Sequence, residues 1–361
     1  MLLERLSPTP QNMARLRTLT AFFPLLLGVL IINTVYLAST GNWHDAWAWY
    51  PLFIILVPIS ILDYLIGKDA TNSPLNSAPA YFRWLTLACV PMQIGVLFIA
   101  AHFFVNAPLT WVGMVGWVIS VGFISGIIAI NVGHELIHKN SRLERTAGGI
   151  ILATTAYGTF KVEHVLGHHA WVATDRDASS ARRDQSVYTF VPNAIIHNAL
   201  NAVRLSAASL KRRGYSAWSW HNELWWWSGV TIALSAMLGA AFGPMAVVFF
   251  CAQSLVAIMS LEIINYIEHY GLRRKIEANG RAEKVTPMHS WNSPYFLTNA
   301  FLFQLQRHSD HHANAARRYQ TLEHHAAAPQ LPGGYGAMMM LTLVPPLWRA
   351  VIHPRIPAEN R

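Results

Sequence analysis

The stretch Leu305-Gln-Arg-His308-Ser-Asp-His311-His312 carries histidines at i, i+3 and i+4. On a helix these positions share one face, so His308, His311 and His312 are expected to come within reach of one metal ion. A solvated loop is the alternative, and the rest of the chain bears on the choice. His134-Glu-Leu-Ile-His138 has its histidines at i and i+4, and His164-Val-Leu-Gly-His168-His169 at i, i+4 and i+5. His269, in Asn265-Tyr-Ile-Glu-His269-Tyr-Gly, is a ninth candidate among the 17 histidines of the chain. One mononuclear site takes about four ligands for zinc and at most about six for iron, so nine neutral imidazoles suit two ions. Ligand type alone leaves iron, copper and zinc open.

Such a constellation has to be held by something, and composition says what. Hydrophobic residues make up 53% of the 361, charged residues only 12%, and the formal net charge is +9. A chain this apolar is a membrane protein, and its positive excess reads as retention on the cytoplasmic side rather than as a nucleic-acid surface. Cys89 and Cys251 lie in apolar runs and form no CxxC pair, which excludes a disulfide scaffold and a cysteine-ligated iron site. The first apolar run lacks the cleavage site of a signal peptide and reads as an anchor.

Spanning runs are expected at Thr18–Ala38, Trp47–Ile66, Trp84–Val105, Thr110–Val132, Leu224–Ala241 and Pro244–Ile267, the last two as a tight hairpin. Lys and Arg counts test the topology independently. The short connections Ser39–Ala46 and Asn106–Leu109 contain none, whereas every segment on the other side is basic. Both termini and both large polar segments are therefore expected in the cytoplasm. The expected fold class is an all-α membrane protein with six transmembrane helices and a histidine-rich helical region on the cytoplasmic side. Residues 1–133 form four spans, 134–223 a polar segment with two histidine clusters, 224–267 the hairpin, and 268–361 the remaining ligands. Met338–Ile352, with Pro345 and Pro346, is too short to span and is expected to be interfacial or docked on the spans.

Two other classes compete. His134-Glu135-x-x-His138 matches the HExxH pattern of a zinc protease with Glu135 as base, but leaves seven histidines without a role. A metal transporter needs ionisable groups along the spans, where Asp63 and Glu262 stand nearly alone.

Together, His134–Lys139, Glu163–His169, Asn265–Leu272 and Leu305–Ala313 resemble the membrane-bound alkane 1-monooxygenases, integral di-iron hydroxylases related to the membrane desaturases and to xylene monooxygenase. Val172-Ala-Thr174, Asp177-Ala-Ser-Ser180, His289–Ser293, Arg317–Gln320 and Leu331-Pro-Gly-Gly-Tyr335 extend the likeness, and the His269-Tyr-Gly motif favours the alkane branch. Ile137 departs from the glycine usual in the first cluster. The resemblance implies that His134, His138, His164, His168, His169, His269, His308, His311 and His312 hold two irons just inside the cytoplasmic face of a bacterial inner membrane. It implies O2 as co-substrate, conversion of a medium- or long-chain n-alkane to the primary alcohol, and electrons from a separate rubredoxin with its reductase.

No side-chain acid or base removes hydrogen from an unactivated methyl, so the protein's task is placement: an apolar channel admitting the chain end-on from the bilayer. Ile54 and Ile55 on the second span are candidates for its wall, with bulk there limiting chain length. Glu135, Glu163, Glu268 and Asp310 each adjoin a ligand and are candidates to accept the distal imidazole N–H. Lys139, Arg142, Arg273, Arg274, Lys275, Arg317 and Arg318 flank the clusters as candidates to dock an acidic electron carrier.

Overall fold

The computed structural model describes residues 2–6, 8–72 and 79–360, and among them every extended regular element is a helix. Six helices are long and apolar enough to cross a membrane: Pro10–Thr40 (span 1), His44–Ile66 (span 2), Pro79–Asn106 (span 3), Trp111–Ile137 (span 4), Glu223–Phe242 (span 5) and Pro244–His269 (span 6). Proline and glycine mark the ends and breaks. Pro10 opens span 1 behind a Thr9 cap, span 2 breaks at Val57 ahead of Pro58, and Gly243 turns span 5 into span 6 at φ 86°.

Spans 4 and 6 run past the limits read from the apolar pattern. Span 4 continues to Ile137 and so carries His134 within it, and span 6 ends on His269 itself. In span 4, 67% of the most apolar stretch is buried inside the protein, so neighbouring helices rather than lipid receive its polar end. Gly126–Ile130, within span 4, is wound as a π-helix. The C-terminal piece forms two helices, Tyr335–Thr342 and Pro345–Ile352. It is docked on the spans: Trp348 is fully buried, with its ring 5.5 Å from Tyr266 and 5.4 Å from Tyr270 of the span 6 end.

Two buried polar contacts tie the spans to the last histidine cluster. Asp63, near the end of span 2, accepts from Leu297 N at 2.8 Å and Thr298 N at 3.0 Å, capping the short helix Phe296–Phe301. Its other oxygen accepts from the Thr298 hydroxyl at 2.5 Å. Asp63→Ala strips three buried donors of their acceptor and is expected to cost about 2–3 kcal/mol, read as a lower thermal unfolding midpoint in detergent. Arg17 and Arg307 meet on Asp69, at 2.6 Å and 3.5 Å, joining span 1 to the residue before His308.

Candidate metal centre

Nine imidazoles come together in two adjoining groups. His134, His138, His164, His169 and His311 have their ligating nitrogens within 4.8 Å of one another, and so do His168, His269, His308 and His312. Within the groups, Nε2 pairs stand 3.0 Å (His164–His169), 3.2 Å (His169–His311), 2.9 Å (His308–His312), 3.2 Å (His269–His308) and 3.2 Å (His168–His312) apart. Two nitrogens bound at right angles to one ion at about 2.1 Å lie roughly 3 Å apart, so the donor sets fit metal ions. The Nε2 atoms of His134 and His138 are buried without a hydrogen-bond partner. Desolvating such acceptors costs about 1–3 kcal/mol each, which a cation would offset.

The grouping divides His308, His311 and His312, whose spacing in the sequence leaves open which ion each would bind. On the helix His308–Ala313, His308 and His312 project together at i and i+4, while His311 turns to the five-histidine group. The second cluster breaks α-helical spacing. His164–His168 is a π-helix, whose wider turn brings i and i+5 into line. His164 therefore pairs with His169, and His168 faces the other group.

Burial and neighbouring imidazoles hold His164, His169, His308, His311 and His312 well below the usual imidazole range. Burial, with Lys139 and His168 adding to it, pushes His138 down to about 3. These are neutral imidazoles with free lone pairs, the form a metal takes. At His168 burial also opposes charge, but the Asp177 carboxylate 3.0 Å from Nδ1, with Glu163 and Glu268 adding to it, raises the pKa.

Asp177 is thus an imidazole-orienting carboxylate that adjoins no histidine in the sequence, although it lies in the matching segment Asp177-Ala-Ser-Ser180. It also accepts from Ser180 Oγ at 2.5 Å and Ser179 N at 3.1 Å, which fix its rotamer. Asp177→Ala should weaken metal retention about 10–100-fold, measured by chelator competition, with His168 free to turn.

The four carboxylates expected in that role are placed differently. Glu135 is committed to Lys139 Nζ at 2.9 Å and Tyr319 N at 3.2 Å rather than to an imidazole nitrogen; this pairing also removes it as a free protease base. Asp310 binds Arg317 at 2.8 Å and His325, which belongs to neither group, at 3.0 Å. One oxygen of Glu163 is buried without a hydrogen-bond partner, and burial pushes its pKa up to about 8. Glu268 comes 3.1 Å from His308, but from Nε2, which faces the group, rather than from the distal nitrogen. Its second oxygen accepts from the Tyr335 hydroxyl at 2.7 Å. Tyr335 belongs to the Leu331–Tyr335 match, where spacing alone offered no hint that it reaches this carboxylate.

An apolar cavity lies among spans 1, 2, 4 and 6. Ile55, Ile59, Phe123, Ile127 and Met339 line it. Asn131 and Leu305 line both this cavity and a smaller space bordered by His134 and His311. Of the two channel candidates, Ile55 lines the cavity and Ile54 does not, because adjacent helical residues point about 100° apart. Ile137, in place of the usual glycine, is accommodated opposite Gly148, where a Cβ would meet Ile137 Cγ2 at 3.0 Å.

Among the docking candidates, Lys139 is buried, with Nζ on Glu135 and the Arg317 carbonyl, so it cannot meet a partner. Arg274 holds the carbonyls of Ala170 and Glu283, and Arg318 is paired with Glu144 at 2.9 Å. Arg317 is shared between Asp310 and Glu323, and Arg273 is half-buried. Arg142 and Lys275 are exposed.

Fold and site together define a multi-pass membrane enzyme built around clustered histidines, and residues 109–342 match the fatty acid desaturase family. Among characterised proteins the chain is 48% identical to alkane 1-monooxygenase 2 of Alcanivorax borkumensis, over 94% of this chain and 90% of that one. Identity to alkane 1-monooxygenase 2 of Pseudomonas aeruginosa is 49%, over 92% and 90%. The xylene/toluene monooxygenase hydroxylase component of Pseudomonas putida is more distant, at 26% over 81% and 78%. The chain belongs to the alkane 1-monooxygenase family and is an oxidoreductase.

Proposed function

We propose that this enzyme hydroxylates the terminal methyl group of medium- or long-chain n-alkanes, using O2, two irons and electrons delivered by a rubredoxin on the cytoplasmic side of a bacterial inner membrane. The observation that carries the reading is the apolar cavity lined in part by Asn131 and Leu305, which also border the space beside His134 and His311. His134, His138, His164, His169 and His311 would hold one iron and His168, His269, His308 and His312 the other. Bound there, the irons supply the O2-dependent oxidation that no side chain can perform.

The chain's own residues do the rest. Leu27, Ile55, Ile59 and Phe123 give an alkane no polar partner, so it binds by burial alone, at about 0.8 kcal/mol for each methylene. Ile127 and Leu302 add to this apolar lining, and a narrow apolar passage would keep the chain extended and present its end rather than its middle. Asp177 holds His168 in one tautomer, and Tyr335 holds Glu268 beside His308. Exposed Arg142 and Lys275 remain available to an acidic electron carrier.

The test is turnover of octane to 1-octanol by the reconstituted enzyme with rubredoxin and reductase, alongside metal analysis. About two irons per chain is expected; a single zinc, or no bound metal, would sink the assignment. Ile59→Phe narrows the cavity and is expected to shift the preferred alkane to shorter chains by a carbon or more, read from product ratios in a mixed-alkane competition. An unchanged ratio would place the chain elsewhere.

A further inference from the structure

The helix Val187–Arg212, 26 residues long, is the longest one outside the spans. Its inner face closes over the segment that carries the second histidine cluster. Asn198 donates to Ser179 Oγ at 2.9 Å and to Glu262 of span 6 at 3.2 Å, and Ala202 and Leu205 pack on Val162, two residues before His164.

Its outer face is divided lengthwise. At 100° per residue, Tyr188, Pro192, Ile196, Leu200 and Val203 form one apolar stripe, and all five are exposed. Asn193, His197, Arg204 and Lys211 form a polar stripe beside it. The helix runs out into Lys211-Arg212-Arg213, all exposed, and then a turn in which Trp218 is 81% and Trp220 71% exposed. Trp225 and Trp226, in the first turn of span 5, are also exposed. This group is ordered by its own contacts: the rings of Trp218 and Trp225 stack at 5.3 Å, and Trp226 Nε1 donates to the Trp220 carbonyl at 2.9 Å.

The height of the helix follows from the hairpin. Spans 5 and 6 rise equally from Gly243, so the start of span 5 at Glu223 is level with Ile263 of span 6. The helix meets span 6 at that level, through Asn198 on Glu262 and Phe190 against the Tyr266 ring at 5.4 Å. It therefore lies where span 5 leaves the hydrocarbon.

We propose that Val187–Arg212 and the tryptophan turn behind it are seated in the lipid headgroup layer. The apolar stripe enters the acyl boundary, and Arg204, Lys211, Arg212 and Arg213 sit on the phosphates of anionic phospholipid. Indole rings at headgroup level, a long helix with split outer faces, and basic residues facing water are what such a seat requires. The lipid then acts as the outer jaw of a clamp whose inner jaw is the second histidine cluster.

Spin labels test the seat. They are introduced singly by Ile196→Cys, Leu200→Cys and Val203→Cys, with His197→Cys and Arg204→Cys for comparison, in the full chain carrying Cys251→Ser. In phosphatidylglycerol-containing nanodiscs, labels on the apolar stripe should be reached better by dissolved oxygen than by a water-soluble nickel chelate, and labels on the polar stripe the reverse. Equal chelate access on both stripes would overturn the proposal, as would shielding from both reagents only when two copies share a disc, which assigns the face to a second copy. Retention of phosphatidylglycerol over phosphatidylcholine should fall roughly fivefold for each of Lys211, Arg212 and Arg213 changed to Glu. Unchanged retention would remove the basic cluster from the seat.

Discussion

His311→Ala and His312→Ala change neighbouring residues, yet they are expected to deplete different halves of the metal centre. Loss of His311 takes the five-histidine group to four nitrogens; loss of His312 takes the other from four to three. Removing a partner outside the ligand shell already weakens metal binding about 10–100-fold, so direct loss of a ligand should do at least as much, and alkane turnover should fall with it. The discriminating readout is pairwise. Two changes within one group empty the same ion and should be strongly non-additive in metal loss, as with His169→Ala plus His311→Ala. His169→Ala plus His312→Ala should deplete both ions. If the first pair behaved like the second, the partition drawn from the nitrogen distances would be wrong.

Arg307→Ala should have the largest effect on stability, about 3–5 kcal/mol, because it deletes one partner of a buried ionic network. The Arg307 guanidinium is 3% exposed and donates to the carbonyls of Leu322 at 2.9 Å, Asp69 at 3.1 Å and Thr71 at 3.2 Å. Lysine cannot reproduce a planar fork that reaches three carbonyls, so Arg307→Lys should recover only part of the loss. Arg17→Ala should be milder on the His308 side, since it leaves Arg307 on Asp69. Thermal unfolding in detergent, followed with metal content, measures all three. An Arg307→Ala protein melting at the parental midpoint would show that the network carries no such stability.

The six spans were legible because lipid imposes a length on apolar runs, and the hairpin because Gly243 and Pro244 interrupt one. The histidines stood out by type and spacing, yet their division did not. Helical periodicity assumes 3.6 residues per turn, and the π-turn at His164–His168 changes the partner of His164 from His168 to His169. Side chains adjoining a ligand proved poor guides to what orients it. Glu135 is drawn off by Lys139, Asp310 by Arg317 and His325, while the carboxylate that meets His168 comes from Asp177. Lys139 reads as a surface cation in the sequence, and only the fold of Arg317 over it reveals its burial.

The pairs His168-His169 and His311-His312 each give one residue to either group. Consecutive Cα atoms are held about 3.8 Å apart by the peptide unit, so the two groups share backbone at two separate places in the chain. Breathing of the helices can tilt the nitrogens, but a shift of the backbone under one group is carried directly into the other at both pairs. A reaction needing both ions at once would find the two groups assembled or disturbed together, because neither can be shifted along the chain without its neighbour.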